Sequence, residues 1–123
     1  MADLPLAGVR VLDLSRLLPG PFCSLLLADL GADVTKVEDT GMGDYVRWTP
    51  PYVGDEDAQK RGTASAQYLA LNRNKRSIQI DLKSDAGKEI LLKLAAANDV
   101  VLESFRPGVL EKLGVGFEQM KKD

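Results

Sequence analysis

The sequence predicts an α/β fold built on a parallel sheet. Three observations carry that expectation. Short runs of β-branched and aliphatic residues recur along the chain, as "VRVLDLS", "ADVTKVE", "SIQIDL" and "DVVLES", each the length of a strand. Helical segments lie between them, several opening on proline and closing on glycine, the order helix ends favour. The first two runs are joined by one helix within about 30 residues, the size of a β-α-β unit with a right-handed crossover.

The elements follow in order. Val9 to Ser15 is the first strand, and "RLLPGP" turns sharply after it. Pro21 suits the first helical position, where a missing N–H is no loss. The helix "PFCSLLLADLG" closes at Gly31. Phe22, Leu25, Leu26, Leu27 and Leu30 make it apolar nearly all round, so it is expected to be covered on two sides. Ala32 to Glu38 is the second strand. Asp39 to Gly62 holds "GMGD", "WTPPYVGDED" and "QKRG" and reads as a long irregular loop, a kind of segment that is often functional. "TASAQYLALN" closes it with a short helix. In Ser77 to Leu82, Ile78, Ile80 and Leu82 alternate with polar residues, the pattern of a half-buried third strand. Arg73, Lys75 and Arg76 then precede that strand as surface or interface charges, and Lys83 stands at its carboxyl end. Ser84 is the N-cap of the next helix, with Asp85 in its first turn. Ile90, Leu91, Leu94 and Ala95 form its apolar stripe, and Asn98 ends it. "DVVLES" is a short buried fourth strand. Pro107 opens a short helix that Gly114 closes, and "FEQMKKD" begins another.

Composition narrows the function. The 123 residues suit one domain, and 45% hydrophobic with 28% charged residues is the balance of a globular chain. A net charge of −2 is no nucleic-acid footprint, so any anion site is a local cluster of Lys and Arg. Apolar runs such as Leu25 to Ala28 are far too short to span a bilayer, and "MADLPLAG" lacks the pattern of a signal peptide. Neither nucleic acid nor membrane is therefore an expected partner. The single cysteine, Cys23, forbids an internal disulfide and fits a reducing compartment. That is expected to be the cytoplasm, with mitochondrion and peroxisome as alternatives. Among leucines, Cys23 reads as a small buried hydrophobe. The chain has no histidine, which removes Ser-His-Asp, Cys-His and histidine-ligated metal sites. Asp13, Asp29 and Asp33 are spread over strand, helix and turn and form no visible acid/base pair.

In open α/β sheets ligands collect beyond the carboxyl ends of the strands. The segments expected there are Arg16 to Pro21, Asp39 with "GMGD", Lys83, and Ser104 to Gly108. Two of them lead into helix N-termini, which suit phosphate. Lys83, Arg106 and Lys112 add full charges, and Phe105 can lie against a planar base. Together they fit a phosphorylated, nucleotide-like ligand. Lysine and arginine at strand ends are more commonly just solvated, and neither G-x-G-x-x-G nor a P-loop is present.

Three blocks in register carry a resemblance. "LAGVRVLDLSRLLPGPFCSLLLADLGADVTKVE", "GMGDYVR" and "LNRNKRSIQIDLKSDAGKEILLKLAAANDVVLESFRPGVLEKLGVG" resemble the N-terminal part of the class III CoA-transferases, a family that includes the α-methylacyl-CoA racemases. The resemblance implies a Rossmann-like large domain, of which residues 1–123 are the CoA-binding N-terminal part. It implies a substrate pair of CoA thioester and carboxylic acid, no tightly bound cofactor, and an interlocked homodimer. It places Leu18 and Pro19 in the turn lining the ligand. Ile80, Asp81, Leu82 and Lys83 match the segment at the adenosine end, with Lys83 its cation. Ser104, Phe105 and Arg106 match an Asn-Phe-Arg type segment, and Lys112 a cation that meets a phosphate of CoA.

Two departures matter: Ser104 stands where asparagine is common, and Asp39 where arginine is common. The family's transferases use an aspartate nucleophile and its racemases a His/Asp pair. No residue of this chain matches either, so no catalytic residue is expected here. The chain accordingly reads as an incomplete fold, dependent on self-association or a partner chain. The long "RWTPPYVGDEDAQKRGTASAQYLALN" stretch favours a transferase over a racemase. A non-catalytic CoA- or nucleotide-binding module is the remaining alternative, and a remnant without a ligand the last.

Overall fold

The computed structural model describes residues 3–121. Four strands, β1 (Arg10–Asp13), β2 (Asp33–Glu38), β3 (Lys75–Gln79) and β4 (Val100–Leu102), form one sheet in the order β3-β2-β1-β4. Every pairing is parallel, as the alternation of strands and helices predicts. The helices are α1 (Pro19–Asp29), α2 (Glu56–Lys60), α3 (Ala66–Leu71), α4 (Asp85–Ala96), α5 (Val109–Leu113) and α6 (Phe117–Met120), with a 3₁₀ turn at Tyr45–Trp48.

Successive side chains of a strand point to opposite faces, and the core divides accordingly. Val11 and Val34 pack with Ala28 and Ala32 on the α1 side. Leu12, Leu14, Val37 and Ile80 pack on the other side with Leu91 and Ala95 of α4 and Leu110 and Val115 around α5. Burial of each valine, leucine or isoleucine side chain among them contributes roughly 1.5–3 kcal/mol.

Helix α1 starts two residues earlier than the sequence suggests. Pro19, not Pro21, takes the first position. Gly20 follows because a Cβ there would stand 2.1 Å from the Cβ of Ser15, so only glycine lets the first turn close on the end of β1. Gly31, at φ +104°, ends the helix as expected. Gly20, Pro21, Ser24, Leu25 and Ala28 form its buried face. Phe22, Leu26 and Leu30 are about half exposed, and Cys23 is exposed as well. The second cover expected for this helix is absent among the described residues, and the expectation of a buried thiol is corrected.

Strand β3 also differs. Its pairing with β2 runs from Lys75 to Gln79, so Lys75 and Arg76 lie within the strand instead of before it. Ile78 faces outward on the sheet edge, while Ile80, just past the strand, enters the core. The shift is possible because the Lys75 ammonium is buried with partners. It donates to the Pro21 carbonyl at 2.9 Å and to Asn72 Oδ1 at 3.0 Å, and it lies 3.7 Å from Asp13. Arg73 and Arg76 are surface charges as expected, paired with Asp29 and Asp33 at 2.7 Å.

The second half follows expectation more closely. Ser84 Oγ accepts from Gly87 N at 3.0 Å and caps α4. Gly87 is required there, because a Cβ would meet the Asp81 carbonyl at 1.9 Å. Leu91 and Ala95 are buried, whereas Ile90 points outward. Asn98 donates to the Leu94 carbonyl at 2.7 Å where the helix ends. Strand β4 pairs only with β1, so it is partly exposed, not buried. Helix α5 begins at Val109 after Gly108, leaving Pro107 outside it, and Gly114 closes it at φ +78°. The stretch 39–62 is less irregular than its composition implies: Asp44 caps the 3₁₀ turn and Asp55 caps α2.

Candidate functional site

All four strands of a parallel sheet end on one side, and the segments that follow them meet there. In the order β3-β2-β1-β4 the chain runs from β1 outward to β2 and β3, then returns to the other side of β1 as β4. The turns after β1 and β4 therefore diverge, which opens a crevice between them. A cleft of about 450 Å³ lies there. Arg16 reaches it from the turn after β1, Asp39 and Tyr45 from the segment after β2, Ile80 to Lys83 from that after β3, and Phe105 and Lys112 from those after β4.

A layer of buried charge forms its floor. Lys36, in the middle of β2, is 1% exposed. Its ammonium lies 2.8 Å from Asp44 Oδ2 and donates to the Ser15 carbonyl at 3.0 Å. The other oxygen of Asp44 accepts from Leu17 N at 3.0 Å and Val46 N at 3.1 Å. Asp13 accepts from both Ser15 N–H and hydroxyl and from the Ser24 hydroxyl. Glu38 accepts from Asp44 N at 2.8 Å, from Arg47 at 2.6 and 2.7 Å, and from Tyr68 at 3.0 Å. Pairing of this kind is what makes buried charge tolerable.

The ionisations follow from these contacts. Burial alone would raise the Glu38 carboxyl, but hydrogen bonds from Arg47, Ser77 and Asp44 N outweigh it and hold it at about 2. Burial pushes the Lys75 ammonium down to about 8, against the pull of Asp13. Burial, and the negative charge of Glu38, push the Tyr68 phenol up, so it stays a donor.

The residues singled out in the sequence divide between two settings. Ile80, Asp81, Leu82, Lys83, Phe105 and Lys112 line the cleft together. Leu18, Pro19, Ser104 and Arg106 belong to the same turns but stand exposed outside it. Asp81 Oδ1 accepts from Lys83 N at 2.9 Å, which fixes the bend that presents Lys83. Asp39 lines the cleft and is exposed. Lys36 and Tyr45 are lining residues that sequence reasoning did not select, and Arg16 and Asp44 stood in segments expected at the strand ends without being given a role. "GMGD" was the one signal that pointed near Asp44. Among the described residues no group of three or more acidic or cysteine side chains could hold a metal ion, and no helix is long and apolar enough to cross a membrane.

A parallel α/β sheet with cations around a cleft at its strand ends defines a class of anion- and nucleotide-binding folds. Within that class, the chain belongs to CoA-transferase family III, whose model matches residues 6–123. It is 47% identical over 117 residues to succinyl-CoA:glutarate CoA-transferase of Homo sapiens, covering 94% of this chain and 25% of that protein. It is 44% identical over 117 residues to succinyl-CoA:mesaconate CoA-transferase of Haloarcula hispanica, covering 95% and 28%. A CAIB/BAIF family protein from Brucella suis superimposes with a TM-score of 0.84 at 43% identity, over 98% of this chain and 31% of that one. The chain thus spans about a quarter of the length of the curated relatives it matches.

Proposed function

We propose that this chain supplies the CoA-binding N-terminal part of an enzyme that moves CoA between an acyl-CoA and a carboxylic acid. The observation that carries the reading is the cleft, where cations from separate turns converge in a chain of this family. Lys83 is assigned to the adenosine end of CoA and Lys112 to a phosphate. Ile80 to Leu82 form the wall beside them, and Phe105 an apolar face. Leu18, Pro19, Ser104 and Arg106 are assigned to the margin of the same site.

Transfer is favoured over racemisation because the relatives described above are named as CoA-transferases. Their names make succinyl-CoA the first donor to test. The substrates are a CoA thioester and a carboxylic acid, with no tightly bound cofactor. No catalytic role is assigned to a residue of this chain, and the reacting carboxylate is assigned to protein outside it. The half-exposed Phe22, Leu26 and Leu30 of α1 support a second copy or a partner chain. A sedimentation profile of a stable monomer would count against that. A reducing compartment such as the cytoplasm fits the single thiol.

Calorimetry with CoA and 3′-dephospho-CoA tests the assignment. CoA is expected to bind, less tightly without the 3′-phosphate and less tightly after Lys112→Ala. A folded chain that binds neither ligand overturns the reading. Turnover of succinyl-CoA by the chain alone would overturn the placement of the reacting group elsewhere.

A further inference from the structure

We propose that Arg16 is a further phosphate-binding residue of this cleft, held in place by two aromatic rings and by the turn that Asp44 pins. The proposal rests on the reading of the cleft as a CoA site.

Arg16 follows β1 directly and lines the cleft. Its guanidinium lies over two rings, 5.5 Å from the centroid of Tyr45 and 5.3 Å from that of Phe105. Tyr45 comes from the segment after β2 and Phe105 from that after β4. Arg16 therefore bridges three of the turns that build the site. The contrast with other arginines is informative. Arg10, Arg47, Arg73 and Arg76 each meet a carboxylate, at 2.6 to 3.3 Å. Among the described residues Arg16 meets rings instead. Ring contacts hold a guanidinium by its faces and leave the N–H donors at its edge unused. A half-buried guanidinium with free edge donors suits the oxygens of a phosphate, which it can grip by two parallel hydrogen bonds.

The backbone supports the same role. Leu17 adopts φ +69°, a left-handed conformation that is uncommon for a bulky residue. Its N–H donates to Asp44 Oδ1, and Asp44 is in turn held by buried Lys36. A turn forced into a sparsely populated conformation by a buried ion pair is over-determined, and Arg16 stands at its start. The cleft also contains a carboxylate that no cation of the described residues pairs with, Asp39. CoA carries a diphosphate and a separate 3′-phosphate, so a site with Asp39 on its wall needs more positive charge than Lys83 and Lys112 supply. The geometry revises the part of Phe105 too: at least one face of its ring serves Arg16, which makes Phe105 a positioning residue for that cation.

Calorimetric titrations of the full chain with CoA and 3′-dephospho-CoA, at low and high salt, test this. Arg16→Gln is expected to weaken CoA by about ten-fold at low salt, with a smaller loss at high salt and an unchanged unfolding midpoint. Arg16→Lys is expected to recover only part of the loss. An equal loss for 3′-dephospho-CoA assigns Arg16 to the diphosphate, and a loss confined to CoA assigns it to the 3′-phosphate; both support the proposal. Phe105→Leu combined with Arg16→Gln is expected to lose no more than Arg16→Gln alone, and losses that multiply overturn the positioning role of the ring. CoA affinity within about two-fold of the unaltered chain in Arg16→Gln, roughly a third of the free energy of a tenfold change, overturns the role of Arg16 while leaving the CoA reading intact. A folded, unaltered chain that does not bind CoA overturns both.

Discussion

Two sets of charges sit within one site and behave oppositely. The floor of the cleft holds Lys36, Glu38 and Asp44, and Asp13 and Lys75 form a further buried pair outside its lining; all five side chains are buried and paired or hydrogen-bonded. The rim holds Arg16, Lys83 and Lys112, which meet no carboxylate among the described residues. Charges of the first kind are committed to one another and fix where the turns lie. Those of the second kind have donors that no carboxylate of the described residues takes up. The difference separates residues whose loss should unfold the chain from residues whose loss should only empty the site.

The sharpest way to break that comparison is Asp44→Ala. It strands the Lys36 ammonium and leaves two N–H groups without an acceptor, and removal of one member of a buried pair costs about 3–5 kcal/mol. Urea denaturation should show that loss, while Lys83→Ala and Lys112→Ala should stay within about 0.5 kcal/mol. Equal effects on floor and rim would remove the distinction.

Acid titration probes the floor next. Glu38 ionises at about 2 in the folded chain against an ordinary value of 4.5. Its stabilisation is therefore fully present above pH 4.5 and is lost as pH falls towards 2. The shift corresponds to about 3 kcal/mol. Glu38→Gln should be less stable near neutrality and show a flatter loss of stability over that acid range.

Lys75 gives an effect of similar size at the alkaline end, because burial disfavours its charged form. Its value is about 8 when folded against 10.5 ordinarily, so between those values the unfolded chain binds the proton more tightly. Stability should rise as pH increases from 8 to 10.5, and Lys75→Met should remove that rise. At the rim, Lys112→Ala should weaken CoA by about five- to ten-fold, and increasingly so as salt is lowered. The smallest effect belongs to Asp39→Asn, which relieves like-charge repulsion in a solvated position and should tighten CoA by about two- to three-fold.

Much of the fold was legible because it rests on apolar periodicity. The β-α-β opening, the Ser84 cap and the Gly31 and Gly114 stops follow from residue type and local backbone chemistry alone. The rim of the site was legible for a related reason: a residue just past a strand lies at the ligand end of a parallel sheet, so Lys83 and Phe105 could be placed once the strands were. What could not be read depends on partners distant in sequence. Lys36 and Lys75 look like solvated lysines until the fold brings Asp44 to the one and Asp13 to the other. Arg16 gains its setting only when Tyr45 and Phe105 arrive from two other turns. The start of β3 was misplaced for the same reason, since a buried lysine breaks the apolar pattern that marks strands. Cys23 was misjudged because a helix that is apolar nearly all round does not declare which side faces the sheet.

The strand order carries a consequence for how this chain is made. β1 is the first strand in the sequence and an interior one in the sheet, with β2 on one edge and β4 on the other. The β4 partners of Val11, Leu12 and Asp13 are Val100, Val101 and Leu102, so during synthesis the second edge of β1 stays bare until nearly all of the described chain has been made. No hairpin can cover it, because all three pairings are parallel and each needs a crossover. The nascent protein thus presents an unpaired strand edge from the synthesis of β1 until that of β4, the interval in which chaperone capture or mispairing would take place. Amide exchange in the finished protein should preserve the same hierarchy, slowest in β1 and fastest at the outer strands.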